Sequence, residues 1–208
     1  MRPNLRRSAE SRPDQGQALV EFTLVLPFLL VLLLTVADFG RVFAAAITIE
    51  SAAGAASETA ATAYLDEVVA AGPNPVPVDG YARVHQAAWQ SVCDEASALP
   101  NANPGVGGAE CTGLPTVVCV HDGHDPSCSD VYNASGGIPA GCPNLQPGAR
   151  PSNGQTGGTE ASRYIEVRVC YRFSTLLAVS IPSVGGTLAT LGGDFFLERT
   201  RAFTVADY

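Results

Sequence analysis

The stretch GQALVEFTLVLPFLLVLLLTVADFGRVF, residues 16–43, decides how the rest of the chain must be read. Residues 22–37 within it carry no charge, and Thr23 and Thr35 are their only polar interruptions. Extended back through Glu21, Val20, Leu19 and Ala18, the run reaches twenty residues. At 1.5 Å per residue that is enough to cover a hydrocarbon core of about 30 Å. It exceeds the roughly 7–15-residue apolar core of a cleaved secretory signal. The Arg- and Pro-rich segment before it offers no surface against which a soluble helix could be buried. The sequence therefore predicts a membrane-spanning helix over 17–38.

Working outward, charge sets the expected topology. The chain has 12 basic residues, all arginine, against 20 acids, for a net charge of −8. Residues 1–16 hold Arg2, Arg6, Arg7 and Arg12 against Glu10 and Asp14, a local +2; the remainder holds eight arginines against eighteen acids, a local −10. Only Arg41 follows closely on the far side of the apolar run. Basic residues stay on the cytoplasmic side, so the N-terminus is expected in the cytoplasm and everything beyond about residue 40 outside. All six cysteines lie beyond the helix, where an oxidising compartment lets disulfides persist. An acidic chain without a basic stripe argues against nucleic acid as a partner.

Two residues are out of place in a plain anchor. Glu21 sits about one turn into the apolar segment, where an ionised carboxylate is costly. Pro27 removes one helical hydrogen bond. Gly16, four residues and then Glu21 opening a long apolar helix resembles the cleavage motif of type IV prepilins. The whole string is more specific. Its Gly-Gln-Ala-x-Val-Glu-Phe start, its Leu26-Pro27, and Asp38-Phe39-Gly40-Arg41 at the outer end are similar to the opening of the TadE-like family, minor pseudopilins of the tight-adherence (Tad/Flp) pilus system. The Ala-rich continuation from Glu50 to Ala56 is similar to that family's next segment. The resemblance covers residues 15–63. It implies a prepilin peptidase cutting between Gly16 and Gln17 and discarding the leader 1–16. It also implies that Glu21, then the fifth residue of the mature chain, pairs with a neighbouring subunit's terminal ammonium, with other pilus subunits as partners.

Beyond the membrane the helix is expected to continue over 39–70. Phe39, Val42, Phe43, Ala46, Ile49, Ala53, Ala56, Ala60 and Tyr64 recur at three- and four-residue steps. Three prolines within 73–77 end it and define a linker over 71–80. Helical spacing returns over 81–99, with Asp79 as N-cap and a lone His85 expected at the surface. A short strand is expected at 116–121, and a clear one where Ile165, Val167, Val169, Tyr171 and Phe173 alternate with Glu166, Arg168, Cys170 and Arg172. A last amphipathic stretch covers 195–205. Between them lies a Cys-, Gly- and Pro-rich insert, 99–161, without periodicity. The expected fold is α+β and membrane-anchored: a long N-terminal helix running into a pilin-like extracytoplasmic domain, 81–208, with a small antiparallel sheet and disulfide-tied loops.

Cys93, Cys111, Cys119, Cys128, Cys142 and Cys170 read as disulfide staples. Cys119 and Cys170 both fall on the expected wet face of their strands, so a bridge between them is one of many pairings the sequence allows. Cys119, His121, His124 and Cys128 lie within ten residues but lack the spacing of a zinc knuckle. Asp122, Asp125 and Asp130 lack the glycine and glutamate of a calcium loop. No metal, cofactor or small-molecule substrate is therefore expected. Phosphate-binding glycine loops and nucleophile elbows are missing from the sequence. Asn133-Ala134-Ser135 fits a glycosylation acceptor. The expected role is structural, in pilus assembly and not in catalysis. Two rivals are a membrane-anchored binding module or enzyme, and a secreted disulfide-bonded domain released after Ala44-Ala45-Ala46.

Overall fold

The computed structural model describes residues 14–102, 111–123, 128–134, 137–149, 163–176, 179–183, 186–191 and 193–205. The arginines of the leader, His124, Asp125, Ser135 and parts of the 99–161 insert lie outside the described residues.

The first helix, α1, spans Asp14–Ala71 and is 58 residues long, about 87 Å at 1.5 Å per residue. It passes Pro27 and Gly54 without a break. Thr23, Thr35, Thr48, Thr59 and Thr62 donate their hydroxyls to carbonyls four residues back, so these polar groups are satisfied within the helix. The lower part exposes every large apolar side chain from Leu19 to Val36. The upper part buries Ala45, Ile49, Ala52, Ala53, Ala56, Ala60 and Tyr64. This is the expected stripe with one correction. Phe39 and Phe43 are 73% and 69% exposed. The buried line runs through Asp38, Ala45 and Ile49; Phe39, one residue past Asp38, and Phe43, two residues before Ala45, are rotated off it.

Gly72, at φ +62°, ends α1 in the left-handed conformation that glycine adopts without steric cost, and its N–H reaches Val68 O at 3.1 Å. The second helix, α2, spans Val78–Glu95. It begins inside the stretch assigned above to the linker. Pro77, not Asp79, is its N-cap residue, and no side chain caps it. Proline already supplies the required φ, while Asp79 lies in the first turn and pairs with Arg83 at 2.9 Å. Arg83 also grips Glu67 of α1 through Nε and Nη2 at 2.6 and 2.7 Å, locking the two helices near their connection. Small side chains on both helices (Ala53, Ala56, Ala60 and Ala88, all fully buried) let their backbones approach closely. His85, expected at the surface, is instead only 4% exposed, on the same face as Tyr81, Val84, Ala88 and Val92.

Strands β1 (Thr116–His121), β2 (Tyr164–Ser174) and β5 (Asp194–Thr204) form an antiparallel sheet in the order β1-β2-β5. Val118, Val120, Ile165, Val167, Val169, Tyr171 and Phe173 form one core with the helices. The opposite face of the sheet is not wet, as the alternation alone implied. Val117, Cys119 and Cys170 are buried there beneath Cys142 and Leu145 of the insert, a second small core. Two short 3₁₀ turns, Pro143–Leu145 and Pro147–Ala149, build that cover. The disulfides are Cys93–Cys111, Cys119–Cys128 and Cys142–Cys170. A Cys119–Cys170 bridge is ruled out by register: Cys119 faces Glu166, and Cys170 lies four residues further along β2, about 13 Å away at strand rise. The strands β3 (Val179–Ser183) and β4 (Gly186–Leu191) form a separate two-stranded hairpin inserted between β2 and β5; the sequence reading did not anticipate it.

Candidate functional site

Gly16, Gln17 and Glu21 lie together in the first turns of α1. Gln17 Nε2 donates to Glu21 Oε1 at 3.0 Å, so the carboxylate placed among apolar residues has an internal donor one turn below it. A Cβ built on Gly16 meets no atom within 4 Å, so the fold itself does not require glycine at this position. From here the exposed apolar surface continues upward with Phe22, Leu24, Phe28 and Leu32. The window is long and apolar enough to cross a membrane, with a mean hydropathy of 2.6 and none of it buried.

A polar latch lies at Asp38, part-way along the helix that carries this surface. Asp38, 9% exposed, accepts hydrogen bonds from the backbone N–H of Leu176 at 2.9 and 3.0 Å and from Arg41 at 2.9 Å. The Arg41 guanidinium also lies 5.1 Å from the centre of the Phe173 ring. One carboxylate thus ties the boundary of the apolar helix to the end of β2. Asp38 entered the sequence reading only as part of a family pattern; its contact across 138 positions of chain leaves no local signature.

Two further polar clusters hold the domain together. Tyr64 and Tyr81 both donate to Asp122 Oδ2, at 2.8 and 2.5 Å, joining α1, α2 and the end of β1. Burial, followed by the hydrogen bond to Asp122, raises the Tyr81 phenol well above its ordinary pKa. On the outer face of the sheet Glu166 accepts from Arg168 Nε at 2.8 Å and lies 3.2 Å from His121 Nε2. Burial works to raise the Glu166 carboxyl, yet His121 and Arg168 together outweigh it and hold it below the usual value. Arg168 Nη1 also donates to Asn144 O at 2.9 Å, fastening the insert to β2.

The metal reading of the insert finds its donors already committed. Cys119 and Cys128 are joined in a disulfide, and His121 faces Glu166. Among the described residues no group of three His, Cys, Asp or Glu side chains could hold a metal ion. Asn133 of the glycosylation tripeptide is 8% exposed, with Nδ2 3.5 Å from the Cys93 sulfur, so its amide is turned inward. A cavity of about 530 Å³ is lined by Asn101, Asn133, Arg172, Ser174 and Phe196 among others. Its polar side chains serve the fold: Asn101 donates to Arg172 O at 3.0 Å, while Arg172 and Ser174 both hold Asp194. The described lining brings together no nucleophile and base.

The Ala44-Ala45-Ala46 segment lies inside continuous helix, and Ala45 is buried in the main core. Cleavage there would remove a residue on which the sheet packs. Residues 16–58 match the family model described as TadE-like protein. No curated protein and no solved structure matches the chain.

Proposed function

We propose, starting from the TadE-like match over residues 16–58, that this chain is a pseudopilin-like structural component of a Tad-type pilus or secretion apparatus. The observation that carries the reading is the single helix that begins bare and apolar at Gly16 and ends as a core element of a disulfide-bonded domain. Such a helix transmits position from the bilayer to the folded part without a hinge. In this reading a prepilin peptidase cuts between Gly16 and Gln17, leaving the arginine-rich leader in the cytoplasm and the domain outside. Removing the leader frees an ammonium at Gln17, one turn below Glu21. In low dielectric an unpaired carboxylate is penalised and a paired one is not, so Glu21 selects the register at which a neighbouring subunit's terminus docks.

N-terminal sequencing of the mature protein tests this directly, with Gln17 as the expected first residue. Gly16→Leu should abolish leader removal while the protein still folds and inserts, because a side chain at this position meets nothing in the chain itself. A normally shortened product from Gly16→Leu, or a mature chain beginning at Met1 or Ile47, would overturn the reading.

A further inference from the structure

We propose that the β3–β4 hairpin is a second membrane contact, lying in the outer interfacial layer of the bilayer beside the spanning helix. This rests on α1 crossing the bilayer and is independent of pilus assembly. The exposed apolar surface of α1 does not stop at Asp38; its continuous part runs from Leu19 to Ile47. That is about 42 Å at 1.5 Å per residue, longer than a hydrocarbon core of about 30 Å, so with 17–38 spanning the core the belt continues into the outer headgroup layer. Asp38 precedes Ile47 by nine residues and so lies about 13 Å to the membrane side of the upper edge of this belt. The N–H of Leu176 is bonded to Asp38, which puts the start of the β2–β3 connection inside the same layer. Leu176 itself is 57% exposed. Val179 follows three residues later, so β3 begins within about 11 Å of the latch.

The composition of the tethered segment fits that depth. Residues 175–193 contain no ionisable and no amide side chain; Ser and Thr are their only polar types. Hydrogen bonds between Thr175 and Gly193 close the neck of the segment, and the Arg172–Asp194 pair stands just above it. β3 and β4 pair with each other and not with the three-stranded sheet. An isolated two-stranded ribbon is marginal in water. It is also excluded from the hydrocarbon centre, where its open edges would find no hydrogen-bond partners. The interfacial layer meets both demands, since headgroups and water satisfy the edges while a segment of this apolar composition is accommodated at the acyl boundary.

The chain has one tryptophan, so depth can be read by fluorescence. In a Trp89→Phe background the full-length protein, disulfides intact, carries Leu188→Trp, Thr190→Trp, Leu30→Trp or Ser97→Trp and is reconstituted in phosphatidylcholine–phosphatidylglycerol vesicles. Lipids brominated near the headgroup or near the bilayer centre, and aqueous iodide, serve as quenchers. The hairpin variants should be quenched most by shallow bromine, at a depth of about 5–10 Å, and several-fold less by iodide than Ser97→Trp. Leu30→Trp should respond to deep bromine. Two hairpin variants guard against one that does not fold. Iodide quenching equal to that of Ser97→Trp would overturn the proposal, because the hairpin would then be in water. Shielding from iodide without quenching by lipid would also overturn it, in favour of a protein surface such as a second copy. If Leu30→Trp ignores deep bromine, the spanning helix itself is wrong and the proposal falls with it.

Discussion

His85 is the residue whose environment departs most from its sequence neighbourhood. It occupies the buried face of α2, its Nε2 has no hydrogen-bond partner among the described residues, and burial pushes the ring down to about 4 against a small opposing effect of Asp130. An unfolded histidine titrates near 6.5. Between those values the unfolded chain binds the extra proton, so stability is complete above about pH 6.5 and declines as pH falls towards 4. The loss from pH 7 to pH 5 should be about 2 kcal/mol. Glu166, whose carboxyl is held low by His121 and Arg168 against the pull of burial, adds its own acid loss only below its ordinary range near 4.5. The two windows are therefore separable. Urea unfolding of the full chain in detergent micelles, followed by Trp89 fluorescence, should show the pH 7 to pH 5 loss in the native protein. His85→Leu should remove most of it, and an unchanged slope in that variant would contradict the assignment. A lone histidine in sequence gives no sign of this, because the burial is tertiary and Asp130, the charge that acts on the ring, is distant in the chain.

At the scale of elements, the disulfides and the insert do for the outer sheet face what α1 and α2 do for the inner one. Cys142–Cys170 closes a separation of 28 residues, Cys93–Cys111 one of 18 and Cys119–Cys128 one of 9. Loop-closure entropy then ranks them at about 3.5, 3 and 2.5 kcal/mol. The paired substitution Cys142→Ala with Cys170→Ala should therefore cost the most, and should also uncover Val117 and Leu145 by releasing the 3₁₀ turns from β2. Denaturant midpoints of the three double variants check the ranking, and peptide mapping without reductant checks the pairs themselves. What the sequence made legible here follows from local periodicity. Alternation from Ile165 to Phe173 located β2, and the 3–4 spacing of Ile49, Ala53, Ala56 and Ala60 located the packed half of α1. What it concealed depends on register and cover. Cys119 is on the predicted face, but its partner is set by which residue of β2 it opposes, and that face is dry because an aperiodic insert folds over it. The start of α2 was misplaced because the proline that ends one helical pattern also begins the next. The placement of Gly16, Gln17 and Glu21 in the first turns of α1 was legible because along one helix spacing is geometry.

Over the whole molecule, one axis organises charge, apolar surface and covalent bonds. In sequence, a net +2 over residues 1–16 precedes the apolar run, and the chain after residue 37 holds eight arginines against seventeen acids, −9, together with every cysteine. Membrane insertion reads the basic residues near each end of a span, not the net charge. Replacing Arg2, Arg6, Arg7 and Arg12 with glutamine leaves Glu10 and Asp14 on that side and leaves Arg41 as the one base close to the span. The proposed orientation should then be lost in a large fraction of molecules. Alkaline phosphatase joined to the C-terminus is active only outside the cytoplasm, so its activity should be high on the unaltered chain and several-fold lower on the quadruple variant. The three disulfides give a second, independent signal. Inverted molecules keep their domain in a reducing compartment and should react with a thiol-alkylating reagent that leaves correctly oriented ones untouched. Loss of phosphatase activity together with new free thiols therefore reports topology from two independent signals. High phosphatase activity and closed disulfides in the quadruple variant would show instead that the acidic, disulfide-bonded domain sets the orientation without the leader.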